Sequence, residues 1–340
     1  MYSLGGTMTI PLIEASCLEK TFGSSQFLSA KKPVRAVSDV SITINRGEAV
    51  GLVGESGSGK STIGRLLLNL IPLSGGSVTF DGETLDGMNK TDLRRLRQRM
   101  QIIFQDPYSS FDPRRRIGSQ INDALKLHTR KSRSERESRI ADLLVQVGLR
   151  PEHAQRFPHE FSGGQRQRIG IARALATEPD FIVADEPVSA LDVSVQAQIL
   201  ALLIELRETL NLTLLFISHD LLVVKHLCNR VVVLYLGRIM EEGSVEAVFS
   251  NPRHPYTAVL LSAIPRVDAD IRPVLRIALR GDPPSPANPP SGCVFRTRCP
   301  FAIEACSLAR PALREVSGGH RIACIRDDIS FSGLRAGTQM

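Results

Sequence analysis

Short apolar runs punctuated by Gly, Asp and Asn open the chain. Val37 to Ile44, Ala49 to Val53, Ser77 to Phe80 and Ile102 to Phe104 are strand-sized and bounded by turn formers, so the pattern predicts four strands. The spacing then changes. Thr91 to about Arg99 and Ile117 to Val147 carry apolar residues, such as Ile140, Leu143, Leu144 and Val147, at intervals of three and four among charges, which predicts helix. Phe181 to Ala184 and Leu212 to Ile217 are unbroken apolar runs on either side of the helix-like Val195 to Leu210. Strand, helix, strand in that order predicts a parallel sheet. Val231 to Leu236 and Arg238 to Glu241, turning at Gly237, predict one more strand pair.

Beyond residue 250 the pattern fades. More than half of the 20 prolines fall in 251–340, and Asp282 to Pro290 is nearly all Pro, Ser, Ala and Asn. A boundary is therefore expected near 250, between a domain at 10–250 and a smaller module at 251–340. With 42% hydrophobic and 23% charged residues among 340, the chain has a globular composition, which excludes fibrous and disordered classes. No run approaches the ~18 apolar residues of a membrane span, and Met1 to Leu12 shows no secretory leader. The expectation is a cytoplasmic chain.

The chemistry begins after the second predicted strand. Gly54-x4-Gly59-Lys60-Ser61 follows that strand and precedes the helix-like Ile63 to Leu70, the context a phosphate-binding loop requires. Glycines let successive backbone N–H groups face phosphates, and a helix N-terminus adds a positive dipole end. Lys60 then reaches the β- and γ-phosphates and the Ser61 hydroxyl serves Mg²⁺. A Gly/Ser turn matching by chance lacks a reason for the flanking strand and helix. Phe181 to Glu186 ends an apolar strand in two carboxylates. Asp185 suits a Mg²⁺ shell, and Glu186, pointing the other way, suits the polarising of an attacking water. The plainer reading is a solvated strand end. Phe161-Ser-Gly-Gly-Gln165 opens a second helix with small residues, which makes either another anion site or only a capped helix.

In this order the motifs resemble the ATP-binding subunit of an ABC transporter over about residues 10–250: Gly54 to Ser61, Gln105 in Phe104-Gln-Asp-Pro107, Phe161 to Gln165, Phe181 to Glu186, Ser189-Ala-Leu-Asp192 and His219. The signature turn begins with Phe161 where the family commonly has Leu. The resemblance implies an α/β P-loop NTPase of ABC type: a mixed sheet core, a helical signature subdomain, a small β subdomain and a C-terminal accessory module. It implies an ATPase with Glu186, His219, Gln105 and Lys60 as catalytic residues. Nucleotide would be bound by Phe22, Gly54, Ser56, Gly57, Ser58, Gly59, Lys60, Ser61 and Thr62. From the other subunit of a head-to-tail dimer, Ser162, Gly163, Gly164, Gln165 and Asp192 would complete the site. Mg²⁺ would be held by Ser61, Gln105 and Asp185. Phe22 is the candidate for stacking on adenine, with core packing as its rival reading, and a helix-capping role is the rival for His219.

Asn251-Pro-Arg-His-Pro-Tyr-Thr257, with Leu260, Leu261 and Pro265, is similar to the segment that marks the dipeptide/oligopeptide and nickel permease branch. Physically it reads as a turn that packs the module on the core. Cys293, Cys299, Cys306 and Cys324, with His320 nearby, also resemble that branch. The resemblance implies a [4Fe–4S] cluster at these four, with zinc or free thiols as alternatives, while Cys17 and Cys228 read as inert core residues.

The formal net charge of +7 lies mainly in 88–139, with 14 Lys/Arg against 6 Asp/Glu, and in 251–340, with 12 against 7. Because 88–139 surrounds Gln105, its charge is read as facing a permease and an anionic inner leaflet, and no nucleic-acid partner is expected. The function expected is an ATP-hydrolysing subunit that powers import of di- or oligopeptides, peripheral on the cytoplasmic face of the bacterial inner membrane. Its partners would be two membrane-spanning permease subunits, a second ATP-binding subunit and an extracytoplasmic solute-binding protein. Another small solute, nickel or an opine, and a non-transport soluble ABC ATPase are the alternatives.

Overall fold

The computed structural model describes residues 11–23, 32–106, 108, 110–264 and 281–331. Its strands are β1 (Ile13–Phe22), β2 (Val34–Ile44), β3 (Ala49–Val53), β4 (Gly75–Phe80), β5 (Glu83–Thr84), β6 (Met100–Ile103), β7 (Phe181–Asp185), β8 (Thr213–Ser218), β9 (Arg230–Tyr235), β10 (Arg238–Ser244), β11 (Arg314–Ser317) and β12 (His320–Ile322). The α-helices are α1 (Lys60–Leu67), α2 (Lys90–Arg99), α3 (Ile117–His128), α4 (Arg133–Gln146), α5 (Gly163–Leu175), α6 (Val193–Leu210), α7 (Leu221–Leu227), α8 (Val245–Ser250), α9 (Pro255–Ser262) and α10 (Ala305–Leu308).

Two sheets form. An antiparallel sheet runs β2-β1-β4-β5, and a mixed sheet runs β11-β12-β10-β9-β3-β8-β7-β6, parallel from β9 to β6. The central strands explain the unbroken apolar runs. Successive side chains point to opposite faces, and here both faces are covered. Val50 and Leu52 of β3 join Phe181, Val183, Leu215 and Ile217 in the core under the antiparallel sheet. Ala49 and Val53, with Ile182, Ala184, Leu214 and Phe216, join the core beneath the helices. Each of the Val, Leu, Ile and Phe side chains among them contributes roughly 1.5–3 kcal/mol by leaving water. α1 lies so close to this sheet that a Cβ on Gly64 would meet Val183 Cγ1 at 2.8 Å.

The helical stretch expected over Ile117 to Val147 divides in two. α3 ends at His128, and Ser132 starts α4 with a capping box in which its hydroxyl and the Glu135 side chain satisfy each other's backbone N–H. The Ser132-x-x-Glu135 pattern, which the expectation of one helical stretch leaves out, is the signal that divides it. Cys17, expected in the core, is exposed at an irregularity of β1 with a φ of +48°; only Cys228 of that pair is buried.

The segment after 250 continues the main sheet. β12 pairs with β10, matching Glu241 to Ile322 and Glu242 to Arg321. The Glu241 carboxylate is fully buried and accepts the backbone N–H groups of Arg253 (2.7 Å) and His254 (3.0 Å), while His320 Nε2 lies 2.6 Å away. His254 Nδ1 then accepts the Tyr256 N–H and caps α9. The 251–257 segment thus fastens the C-terminal region to β10, as a packing turn should. No described helix is long and apolar enough to cross a membrane.

Candidate functional site

β3 delivers Gly54 at its end, and the turn that follows is shaped by contacts only glycine permits. Gly54 has a φ of +152°, and a Cβ there would lie 2.1 Å from the Leu234 carbonyl oxygen; on Gly59, at +104°, it would lie 2.4 Å from that of Ala36. Lys60 opens α1, is almost wholly buried, and donates from Nζ to the carbonyls of Gly54 (2.8 Å) and Glu55 (3.0 Å). Burial pushes its pKa down, opposed by the nearby carboxylates of Glu186, Asp185 and Glu55. The α1 N-terminus has no side-chain cap, so its first amides are free for an anion.

Ser61, one residue on, donates from Oγ to Asp185 Oδ1 at 2.7 Å. Asp185 is buried at the end of β7, and desolvation holds its carboxyl pKa above the usual range. A hydroxyl and a buried carboxylate are hard oxygen donors that fit Mg²⁺. The Ser58 Oγ is buried without a partner among the described residues, as a group awaiting a phosphate oxygen would be.

Glu186 follows Asp185 in the left-handed region, with a φ of +46°. The turn sends its side chain toward three expected partners. Its carboxylate accepts from Gln105 Nε2 at 3.3 Å, lies 3.3 Å from His219 Nδ1, and faces Lys60 Nζ at 3.9 Å. Residues from the ends of β6, β7 and β8 and from the start of α1 thereby meet at one carboxylate. His219 is 60% exposed, and the N-cap of α7 is Asp220, whose side chain accepts the Leu222 N–H; the helix-capping alternative for His219 is thereby removed. Phe22 is 44% exposed with Lys20 Nζ 5.1 Å from its ring centre, so core packing does not account for it.

The second anion candidate is a capped helix. Ser162 Oγ accepts the Gln165 N–H at 3.3 Å while Gln165 Oε1 accepts the Ser162 N–H at 3.1 Å. Gly163 and Gly164 supply the first helical amides, and a Cβ on Gly164 would strike Val195 Cγ1 at 2.4 Å. Small residues here let α5 meet α6 closely. Asp192 caps the start of α6 without a side-chain hydrogen bond. Phe161, in the Leu position, is buried with its ring edge-on to His153.

Cys293, Cys299, Cys306 and Cys324 converge far enough to feel one another electrostatically, and burial raises the thiol pKa of Cys293, Cys324 and Cys299, the last to about 11. Among the described residues, however, no group of three or more His, Cys, Asp or Glu stands at metal-holding spacing. The iron–sulfur and zinc expectations thus find no support in the geometry.

Three residues carry no signal in the sequence of a role at the loop: Glu55, Arg298 and Tyr256, the last legible only as part of the packing segment 251–257. Arg298 Nη1 donates to Glu55 Oε2 at 2.7 Å, and the Glu55 N–H donates to the Tyr256 hydroxyl at 3.0 Å. They lie 243 and 201 positions apart, and no local pattern signals either pairing.

A phosphate-binding turn, a Ser–Asp oxygen pair and a carboxylate ringed by Lys, Gln and His, on a mixed sheet with a helical arm, define an ATP-binding cassette. A family model described as ABC transporter matches residues 37–189, and one described as oligopeptide/dipeptide transporter, C-terminal region, matches 240–306. A Brucella ovis protein, named for peptide import as its ATP-binding part, is 58% identical over 87% of this chain and 93% of its own length. The oligopeptide transport ATP-binding protein AppF of Bacillus subtilis is 46% identical over 92% and 96%. The dimeric post-hydrolysis structure of the cassette MJ0796 bound to ADP and Pi superposes with a TM-score of 0.62 at 29% identity, covering 68% of this chain and 98% of that one. The chain belongs to the ABC transporter ATP-binding family, in the branch that carries the oligopeptide/dipeptide transporter C-terminal region. It is an ATPase of ABC type.

Proposed function

We propose that this chain hydrolyses ATP to power import of di- or oligopeptides through a multi-subunit transporter. The observation that carries the hydrolytic part is the meeting of Lys60, Gln105 and His219 at the Glu186 carboxylate. In this reading the turn from Gly54 to Thr62 binds the phosphates. Glu186 accepts a proton from the attacking water, and Lys60 and His219 neutralise charge on the γ-phosphate. Ser61, Asp185 and Gln105 would hold Mg²⁺, which when bound draws charge from the β- and γ-phosphates. Phe22 offers its exposed ring to adenine. Ser162 to Gln165 and Asp192 serve the nucleotide of a second ATP-binding subunit, which is why one chain has a use for a second capped turn.

Peptide cargo is supported by the names of the relatives and by the C-terminal region. The same reading places the chain peripherally on the cytoplasmic face of the inner membrane, docked on two permease subunits that receive solute from an extracytoplasmic binding protein. A cluster at Cys293, Cys299, Cys306 and Cys324 has no support among the described residues, and anaerobic purification with iron and zinc analysis tests it. For the cargo, the test is reconstitution in proteoliposomes with the cognate permease subunits and binding protein. Di- and oligopeptides should stimulate ATP hydrolysis and accumulate inside; stimulation by nickel or an opine and not by peptides overturns the assignment.

A further inference from the structure

The phosphate-binding turn from Gly54 to Ser61 contains one acidic residue, Glu55, and an unpaired carboxylate beside a triphosphate repels it. Every polar group of Glu55 is engaged. Its carbonyl accepts from Lys60 Nζ and from the Ser58 N–H at 3.1 Å, its N–H is held by the Tyr256 hydroxyl, and its carboxylate by the Arg298 guanidinium. Two of these holds come from the region after 250. The ion pair is sheltered, with side-chain exposures of 7% for Arg298 and 23% for Glu55.

Arg298 is itself held in place. Its Nη1 lies 3.4 Å from the Tyr235 hydroxyl, and its guanidinium carbon 5.9 Å from that ring's centre. Tyr235, Tyr256 and Phe295 pack as a buried trio with ring centres 4.8 to 5.3 Å apart. The guanidinium is thus presented to Glu55 from a rigid aromatic base, on a β9 end that also supplies the Leu234 carbonyl against Gly54. The fork geometry of Arg suits such a sheltered carboxylate better than a lysine ammonium.

We propose that Arg298 is a positioning residue of the ATP site, which neutralises Glu55 and draws its carboxylate away from the phosphates, so that the C-terminal region sets the affinity of the turn for ATP. The inference rests on the ATPase reading. It concerns binding more than the chemical step, because the Arg298 guanidinium reaches Glu55 and not Glu186, Gln105 or His219, and only Lys60, which donates to the Glu55 carbonyl, is shared between the two sets.

The test is titration of the full-length protein with a fluorescent ATP analogue, together with steady-state ATP hydrolysis, for wild type, Arg298→Gln, Arg298→Lys, Glu55→Gln and the double variant Arg298→Gln/Glu55→Gln. Arg298→Gln should raise Kd and KM for ATP about tenfold while kcat changes less than about twofold. Glu55→Gln in the same chain should restore Kd and KM, since it removes the carboxylate that Arg298 had neutralised, and Arg298→Lys should lie between. A purely structural role for Arg298 predicts loss of thermal stability that Glu55→Gln does not repair. Wild-type affinity in Arg298→Gln, or no restoration in the double variant, overturns the proposal. A wild-type protein that binds no nucleotide overturns the ATPase reading with it.

Discussion

Ser61 Oγ and Asp185 Oδ1 lie 2.7 Å apart although 124 positions separate them in the chain. The contact joins the start of α1 to the end of β7 and brings two hard oxygen donors together at the mouth of the sheet. Ser61→Ala and Asp185→Asn should each lower kcat for Mg²⁺-dependent ATP hydrolysis by about 100-fold or more. They should also shift the Mg²⁺ titration of activity to higher concentration, and an unchanged Mg²⁺ dependence would remove the pair from the metal's shell.

Glu186→Gln keeps the size of the side chain and its hydrogen bonds but removes the basic oxygen. Loss of a general base costs roughly 10² to 10⁴ in rate. Hydrolysis by the variant should fall by that amount while ATP binding is retained, so size-exclusion chromatography with ATP should show a persistent dimer. Normal steady-state turnover would exclude Glu186 as the base.

His254 ties stability to pH. Burial lowers its pKa from 6.5 to about 4, so between those values the unfolded chain holds a proton that the folded chain does not. Stability from this group is complete above pH 6.5 and declines as pH falls toward 4, by at most about 1.4 kcal/mol per pH unit. Thermal melts should show Tm dropping across that window, and His254→Asn, which keeps a side-chain acceptor for the Tyr256 N–H, should flatten the drop.

Thiol reactivity should separate the cysteines. Cys17 is exposed, whereas Cys228, Cys306 and Cys324 are buried and burial pushes the Cys299 thiol up to about 11. At pH 8 the Cys299 thiol is therefore almost wholly protonated, and thiolate is the reactive form. Brief alkylation of the native protein with iodoacetamide should label Cys17 first, as read by peptide mass spectrometry. Equal labelling of Cys299 would show that its site is open.

Glu241 anchors the C-terminal region to β10. It is fully buried with donors from Arg253, His254 and a partner in His320, so Glu241→Ala should destabilise the protein by about 3–5 kcal/mol. Chemical denaturation should show a lower midpoint and loss of the join between β10 and the C-terminal hairpin.

The phosphate turn, the paired carboxylates at a strand end and most strands and helices between Val37 and Glu241 were legible in the sequence, whereas β1 and the hairpin of β11 and β12 lie outside the predicted elements. Those signals are local: a glycine spacing, a run of apolar residues, a period of two or 3.6. Alternation sorts the side chains of β3, β7 and β8 into two sets, but both sets are apolar, so which set meets the helices and which the antiparallel sheet is settled by the packing of the layers. Only the tertiary structure decided that Lys60, Gln105 and His219 meet at Glu186, since strand order, not strand identity, sets which loop ends become neighbours. It also decided that the Pro-rich region after 250 joins the main sheet and reaches the ATP site. Arg298 and Glu55 meet across 243 positions, and an ion pair between two such distant residues leaves no periodicity for a sequence to display.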